Sequence, residues 1–278
     1  QGHSKERTKE RTQMHGKENG TSAKKHSKKA RTSDSSVSGE SVTTDKPSED
    51  QATITDKNTK TQKTTGAESE ITLTEYREYD TDIYVAQINT SAPVALRTAF
   101  AQGAYGRNVT AKTTEIAVSV GAVLAINGDY YGAREKGYVI RNGVLYRAEG
   151  SKGQEDLVIW QDGSFSVITE DEMTAEELVA QGAWQVWSFG PALVVDGEVS
   201  VGVDDEVDRA MRANPRTAIG ILENGDYVMV VSDGRTDESE GLSLLQLAEF
   251  MKSLGAETAY NLDGGGSSTM VFNGSVVN

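Results

Sequence analysis

Between residues 138 and 277, five segments place Asn-Gly or Asp-Gly between short apolar runs. They are YVIRNGVLYRA (138–148), DLVIWQDGSFSVI (156–168), ALVVDGEVSV (192–201), IGILENGDYVMVV (219–231) and MVFNGSVV (270–277). Such pairs tolerate the positive φ that a tight, right-twisting hairpin demands. Five of them commit this part of the chain to antiparallel sheet and leave no room for a regular βαβ alternation. Three helices fit between the hairpins. Residues 243–254 open on a Ser243/Gln246 capping pair, carry one apolar face and stop at Gly255. Residues 174–181 start with Thr-x-x-Glu, and a third helix near 113–120 ends at Gly121. The expectation is an α+β fold: hairpin-rich, mixed or antiparallel sheets with a few packed helices.

The first seventy residues read differently. The first aromatic residue is Tyr76, and the large apolar residues before position 71 are Met14, Val37, Val42 and Ile54. So little apolar surface cannot offset the entropy of ordering the chain. Residues 1–70 are therefore expected to be a disordered, Ser/Thr/Lys-rich tail, and 71–278 the folded domain. A tail of this kind suits a stalk behind an upstream membrane anchor, and equally a plain disordered terminus. It holds 14 Lys/Arg and 11 Asp/Glu; of the chain's 28 and 42, that leaves 14 and 31, a formal net of −17 for the domain. A field of that sign repels nucleic acid and anionic membranes. An anionic substrate would need a local cluster of arginines.

Cysteine is absent, and the three histidines, His3, His15 and His26, all lie in the tail. The domain can therefore build neither a Ser-His-Asp triad nor a Cys nucleophile nor an ordinary zinc site. Its chemistry is confined to carboxylates, arginines, hydroxyls, backbone amides or a hard, oxygen-bound metal such as calcium or magnesium. The acidic stretch VDDEVD (203–208) lacks the glycine and spacing of an EF-hand loop and reads as a solvated loop.

One motif occurs twice. SVGAVLAINGDYYG (119–132) and SLGAETAYNLDGGG (253–266) align without gaps, sharing seven of fourteen residues. In each copy a helix ends at glycine, a short β-run follows, and Asn-x-Asp is delivered into a glycine-containing loop. The expected arrangement is two pseudo-symmetric strand ends facing one cleft. A period of two puts Asn127 beside Asp129, and Asn261 beside Asp263, on one face of a strand. Gly264, Gly265 and Gly266 would open the backbone to an approaching anion, with Ser267 and Ser268 adding hydroxyl donors. In NPRTAIG (214–220) and VVSDGR (230–235), the two ends of one hairpin should bring together Arg216, Thr217, Asp233 and Arg235. Paired arginines suit phosphate or carboxylate. Tyr130, beside the first Asn-x-Asp loop, and Tyr131, Trp184, Trp187 and Phe189 are candidates for stacking on sugars.

INGDYY (126–131), FGPALVVDG (189–197), NPRTAIGI (214–221), VSDGR (231–235), GLSLLQLAEFMKSLGA (241–256) and NLDGGGSSTMV (261–271) together resemble the phosphodiester glycosidase family. The resemblance spans roughly residues 73–277, and family domains usually carry one more strand beyond the region ending at Asn278. It implies hydrolysis of a sugar-1-phosphodiester at the anomeric carbon, on a glycan or sugar-phosphate substrate, at the cell surface or outside the cell, with no required cofactor. By that resemblance Asp263 is nucleophile or general base, Asp129 or Asp233 its partner, Arg216 and Arg235 the phosphate ligands, and Asn127 and Asn261 orienting groups. Two other readings use the same residues. One is a non-catalytic glycan-binding module of envelope or exopolysaccharide assembly. The other is a phosphodiesterase cutting P–O with calcium or magnesium.

Overall fold

The computed structural model describes residues 69–92, 95–201 and 212–278, and the backbone of strand segments between 36 and 64. In chain order the strands are β1 (Ser36–Ser38), β2 (Glu40–Thr43), β3 (Gln51–Asp56), β4 (Thr59–Thr64), β5 (Ser69–Glu78), β6 (Thr81–Thr90), β7 (Arg97–Phe100), β8 (Thr110–Lys112), β9 (Leu124–Asn127), β10 (Val139–Arg141), β11 (Val144–Arg147), β12 (Glu155–Trp160), β13 (Phe165–Thr169), β14 (Ala183–Ser188), β15 (Ala192–Val195), β16 (Glu198–Val199), β17 (Arg216–Leu222), β18 (Tyr227–Ser232), β19 (Ala256–Asn261), β20 (Met270–Phe272) and β21 (Ser275–Val276). The helices are α1 (Thr113–Val120), α2 (Ala175–Ala180) and α3 (Leu244–Ser253). The acidic stretch 203–208 lies outside the described residues, as do residues 1–35 of the tail, 1–70, expected to be disordered; the described strands between 36 and 64 fall in the rest of that tail.

All five expected hairpins form, as β10–β11, β12–β13, β15–β16, β17–β18 and β20–β21. Three of their turns, Asn142-Gly143, Asp196-Gly197 and Asn273-Gly274, hold both residues at positive φ, the geometry that matches strand twist. A sixth hairpin, β5–β6, turns at Tyr79-Asp80 with φ of 53° and 51° and no glycine. Every strand pairing described is antiparallel, so the fold is sheet-rich α+β. The helices form as their caps dictate. Thr174 and Ser243 each complete a capping box, and Gly121 ends α1 at φ 65°.

The strands assemble into three large sheets. One has nine strands in the order β16-β15-β19-β17-β18-β6-β5-β4-β3; two have five, β11-β10-β14-β12-β13 and β21-β20-β9-β2-β7. Period-two alternation sorts each strand's residues between two cores. Ile219 and Val231 of the nine-stranded sheet, Leu157, Ile159 and Trp187 of the second, and Leu124, Ile126 and Met270 of the third meet in one shared core. The opposite faces are each covered by a helix. Ala218 and Val230 pack on Leu247 and Met251 of α3, Val158 and Val186 on Leu178 of α2, and Ala125 and Val271 on Ala117 of α1. The strands between 36 and 64 continue these sheets: β4 pairs with β5, and β2 lies between β7 and β9.

Candidate active site

The two Asn-x-Asp motifs end strands of different sheets, and the ends are joined. The Asp263 amide donates to the Gly128 carbonyl at 3.0 Å. The Asn127 side chain bridges the same junction: Nδ2 donates to the Asp263 carbonyl at 2.6 Å, while Oδ1 accepts from Thr217 Oγ1 at 2.8 Å and Thr269 N at 3.2 Å. Asn127 is buried, and these bonds make it the fastener of the Asp263 loop rather than a group open to substrate. Asn261 turns elsewhere. Its Nδ2 donates to the Gly190 carbonyl at 2.9 Å, beside the cis Gly190-Pro191 bond, and its Oδ1 is buried without a partner. The shared strand face expected for each Asn/Asp pair is not realised, because β9 ends at Asn127 and β19 at Asn261, before either aspartate.

The two aspartates differ in environment. Asp129 is buried; its Oδ2 accepts from Arg141 Nη2 at 3.0 Å and its Oδ1 from the Tyr131 amide at 3.3 Å. Arg141 is itself 1 % exposed, donates further to the Ile140 and Val186 carbonyls, and lies 5.8 Å from the ring centres of both Tyr131 and Trp187. Asp263 is only partly buried. Burial is the main force that raises its carboxyl to about 6; Ser267 and the Gly264 amide oppose the rise, Asp129 adds to it, and Arg134 lowers it. So Asp263 sits within electrostatic reach of both Asp129 and Arg134. Behind Asp129 lies Asp156, wholly buried next to Glu170 and Ser188, with neither oxygen in hydrogen-bonding geometry; burial, then the Glu170 charge, raises it to about 10. Burial thus favours its protonated form.

The glycine loop is a short 3₁₀ turn over Gly265–Ser267. Gly264 is required by a close approach: a Cβ there would lie 2.8 Å from the Pro215 carbonyl, which also accepts the Gly265 amide at 2.9 Å. Gly234 and Gly241 press on the same Asn214-Pro215 segment from other sides, with virtual Cβ contacts of 2.6–2.8 Å. Gly265 has φ 62°, whereas Gly266 faces open space. The expected nest of free amides is smaller than the sequence suggests. The amides of Gly265, Ser267 and Ser268 are taken by the carbonyls of Pro215, Gly264 and Gly265. The Ser268 hydroxyl is buried without a partner, and Ser267 interacts with the Asp263 carboxyl.

The residues expected to converge at the β17–β18 hairpin end sort to opposite faces of the sheet. Thr217 reaches Asn127, whereas Arg216 points toward the α3 side, where Nε donates to the Leu242 carbonyl at 2.8 Å and Nη2 to the Arg212 carbonyl at 2.9 Å. Burial, then the neighbouring Arg235, pulls the Arg216 guanidinium down to about 10, so it keeps its charge at neutral pH. Arg235 is exposed; Nε and Nη2 hold Asn214 Oδ1 at 2.9 and 2.5 Å, and Nη1 faces Gly265. Asp233 pairs with neither arginine. It accepts from Tyr84 and Asn278 at 3.3 Å each, and burial raises its carboxyl. Asn278 also donates to the Ser268 carbonyl at 2.8 Å, tying Asp233 to the far end of the glycine loop.

The family model for phosphodiester glycosidases matches residues 120–278, more than half the chain and all of this site. The chain belongs to the phosphodiester glycosidase family. Sequence relatives include the SPbeta prophage-derived uncharacterized protein YomE of Bacillus subtilis, 34 % identical over 164 residues, covering 56 % of this chain and 25 % of that protein. The N-acetylglucosamine-1-phosphodiester alpha-N-acetylglucosaminidases of Mus musculus and Bos taurus are each 28 % identical, covering 60 % and 77 % of this chain and 35 % and 44 % of theirs. The chain thus spans less than half the length of these relatives. Its fold matches the zebrafish catalytic domain of that enzyme, auto-inhibited by its pro-peptide, at a TM-score of 0.56 and 19 % identity, covering 87 % of this chain and 80 % of that one. A hypothetical protein from Synechocystis matches at 0.58 and 14 % identity, covering 84 % of this chain and 61 % of that one. The family and the two mammalian relatives carry the names of glycosidases, a class of hydrolase, whereas YomE is uncharacterized.

Within this phosphodiester glycosidase domain, two site residues escaped the sequence reading, Arg141 and Arg134, and Phe189, expected to stack on a sugar, lies under the Arg134 guanidinium instead. Arg141 carried a signal, a lone charge inside the apolar run YVIRNG, which only a buried partner can satisfy. Arg134 is exposed and carried none. Of the aromatics, Tyr130 is 43 % exposed beside the site, whereas Tyr131 and Trp187 are core residues and Trp184 donates to the Leu96 carbonyl at 2.7 Å. No cluster of three or more Asp, Glu or His with metal-holding geometry occurs among the described residues, and none of their helices is long and apolar enough to cross a membrane.

Proposed function

We propose that this domain hydrolyses a sugar-1-phosphodiester at the anomeric carbon, on a phosphorylated glycan or envelope polymer outside the cell. The observation that carries the reading is Asp263: a half-buried carboxyl raised to about 6, joined to the loop of a second, buried carboxylate, Asp129, and flanked by arginines. A carboxyl poised near neutrality suits proton transfer or attack at physiological pH. As the C1–O bond breaks, the phosphate monoester leaves with the electron pair and positive charge grows on the sugar ring. The Asp129 carboxylate, fixed by Arg141, stabilises that charge without moving. Asp263 supplies an electron pair, either to C1 or to a proton of the attacking water. Arg235 lies on the glycine-loop side, where the leaving phosphate's charge needs a partner.

The test is a screen of glycosyl phosphodiesters in isotope-labelled water, with products identified by mass. Label in the sugar, and loss of turnover in Asp263→Asn, are expected. Label in the phosphate would replace this reading with a phosphodiesterase. No turnover, with glycan binding that survives Asp263→Asn, would replace it with a binding module.

A further inference from the structure

Arg134 is a cation whose donors are unspent. Its guanidinium carbon stands 5.0 Å from the centre of the Phe189 ring, and none of its side-chain N–H groups has an acceptor among the described residues. The other arginines near the site are occupied. Arg216 is bonded to carbonyls, two of the Arg235 nitrogens to Asn214, and Arg107 lies 3.5 Å from Glu135. Arg141 serves Asp129.

The scaffold holds Arg134 from both sides. Its own carbonyl accepts from Arg147 Nη1 at 2.6 Å, and it directly follows the short turn Tyr131–Ala133 that begins after Asp129. Beneath it, the Phe189 amide donates to Tyr260 Oη at 2.7 Å, and Tyr260 belongs to β19, the strand that runs into Asp263. The stacked guanidinium is thus anchored to both motifs that make the site, and its charge reaches the Asp263 carboxyl. A guanidinium held over a ring through its carbon leaves its N–H fork free to donate, and that fork matches two oxygens of one phosphate. In a domain with a formal net of −17, such an unpartnered cation beside the reacting carboxylate has little other electrostatic purpose.

Building on the reaction assigned above, we propose that Arg134, stacked on Phe189, is the residue that grips the substrate's phosphate beside Asp263. It makes two hydrogen bonds to the non-bridging oxygens and takes up the charge that the departing monoester acquires. Arg235 then plays the lesser part, because it has one nitrogen left to offer.

The experiment compares Arg134→Ala, Arg134→Lys, Phe189→Leu and, as a control, Arg107→Ala, in the full chain, after thermal melting has verified folding. Calorimetry with inorganic phosphate is expected to show at least tenfold weaker binding in Arg134→Ala. Arg134→Lys recovers part of that loss, Phe189→Leu falls in between, and Arg107→Ala matches wild type. In kinetics, Arg134→Ala raises KM and lowers kcat for a glycosyl phosphodiester. It changes the rate with a neutral-leaving-group glycoside of the same sugar far less when both substrates are assayed well above the acid limb, and it moves that limb of the pH profile upward. Wild-type phosphate affinity in Arg134→Ala, or no phosphate binding by the wild type, overturns the proposal. Phosphate binding that depends on Arg134, in a protein that cleaves no glycosyl phosphodiester, sustains it and overturns the reaction instead.

Discussion

Replacing Arg141 with methionine tests how the site's second carboxylate is kept in place. The Arg141–Asp129 pair is buried at both ends, with side-chain exposures of 1 % and 0 % and a separation of 3.0 Å. Methionine keeps the volume and the packing on Tyr131 and Trp187 but removes the basic partner bonded to Asp129. Stranding one charge of a buried pair costs about 3–5 kcal/mol. For a domain of this size each kcal/mol shifts Tm by roughly 2–4 °C, so a fall of about 6–20 °C follows. Asp129→Asn in the same background removes the stranded charge, so the double variant should recover much of the loss. Urea denaturation of wild type, both single variants and the double variant measures the coupling directly. Additive single losses, or a fall of less than about 2 °C in Arg141→Met, would show that Asp129 is held by its backbone surroundings and that the ion pair is incidental.

Three other perturbations follow from the same geometry. Asp263→Asn should abolish turnover yet raise stability at pH 8: the folded carboxyl is raised from 3.8 to about 6, so wild-type stability falls as pH climbs through that window and the variant escapes a loss of up to about 3 kcal/mol; equal denaturation profiles at pH 8 would refute this. Gly264→Ala should destabilise or displace the loop through its contact with the Pro215 carbonyl, whereas Gly266→Ala, in open space, should melt within about 0.5 kcal/mol of wild type; indistinguishable melting curves for the two would show that the loop yields. Deleting residues 1–68 removes β1, β2, β3 and β4 and should lower Tm by leaving edges of β5, β7, β8 and β9 unpaired; an unchanged Tm would show that the segment is dispensable, as its composition suggests.

What the sequence revealed follows from how local each signal is. Asn-Gly and Asp-Gly turns and capping boxes act over four residues, so the five hairpins and three helices were legible. The Tyr79-Asp80 turn was not, because neither residue advertises a left-handed conformation as glycine does. The joining of three sheets around one core depends on pairings such as β18 with β6, whose partners lie more than a hundred residues apart. At the site, the repeated Asn-x-Asp motif brought Asp129 and Asp263 together on paper, and the Asp263–Gly128 bond joins their loops. Arg216 and Thr217 were grouped too loosely: adjacent residues of a strand face opposite ways, and alternation alone separates them. Arg134 could not be read at all, since its partner Phe189 is remote in sequence and the attraction between them leaves no pattern.

The squeeze on Asn214 and Pro215 has a consequence for variation across the whole chain. Gly234 and Gly241, both in the connection from β18 to α3, and Gly264, after β19, all abut the backbone of those two residues. In a library of every single substitution, these three columns should go dark together although Gly264 lies in a different segment from Gly234 and Gly241. Compensation at one by change at another is closed off, because what each would strike is main chain, and main chain cannot be mutated to something smaller. The dipeptide ahead of Arg216 therefore behaves as a mould cast around by glycine, and natural or engineered diversity in the site has to come from its rim, at positions such as Tyr130, Arg134 and Gly266.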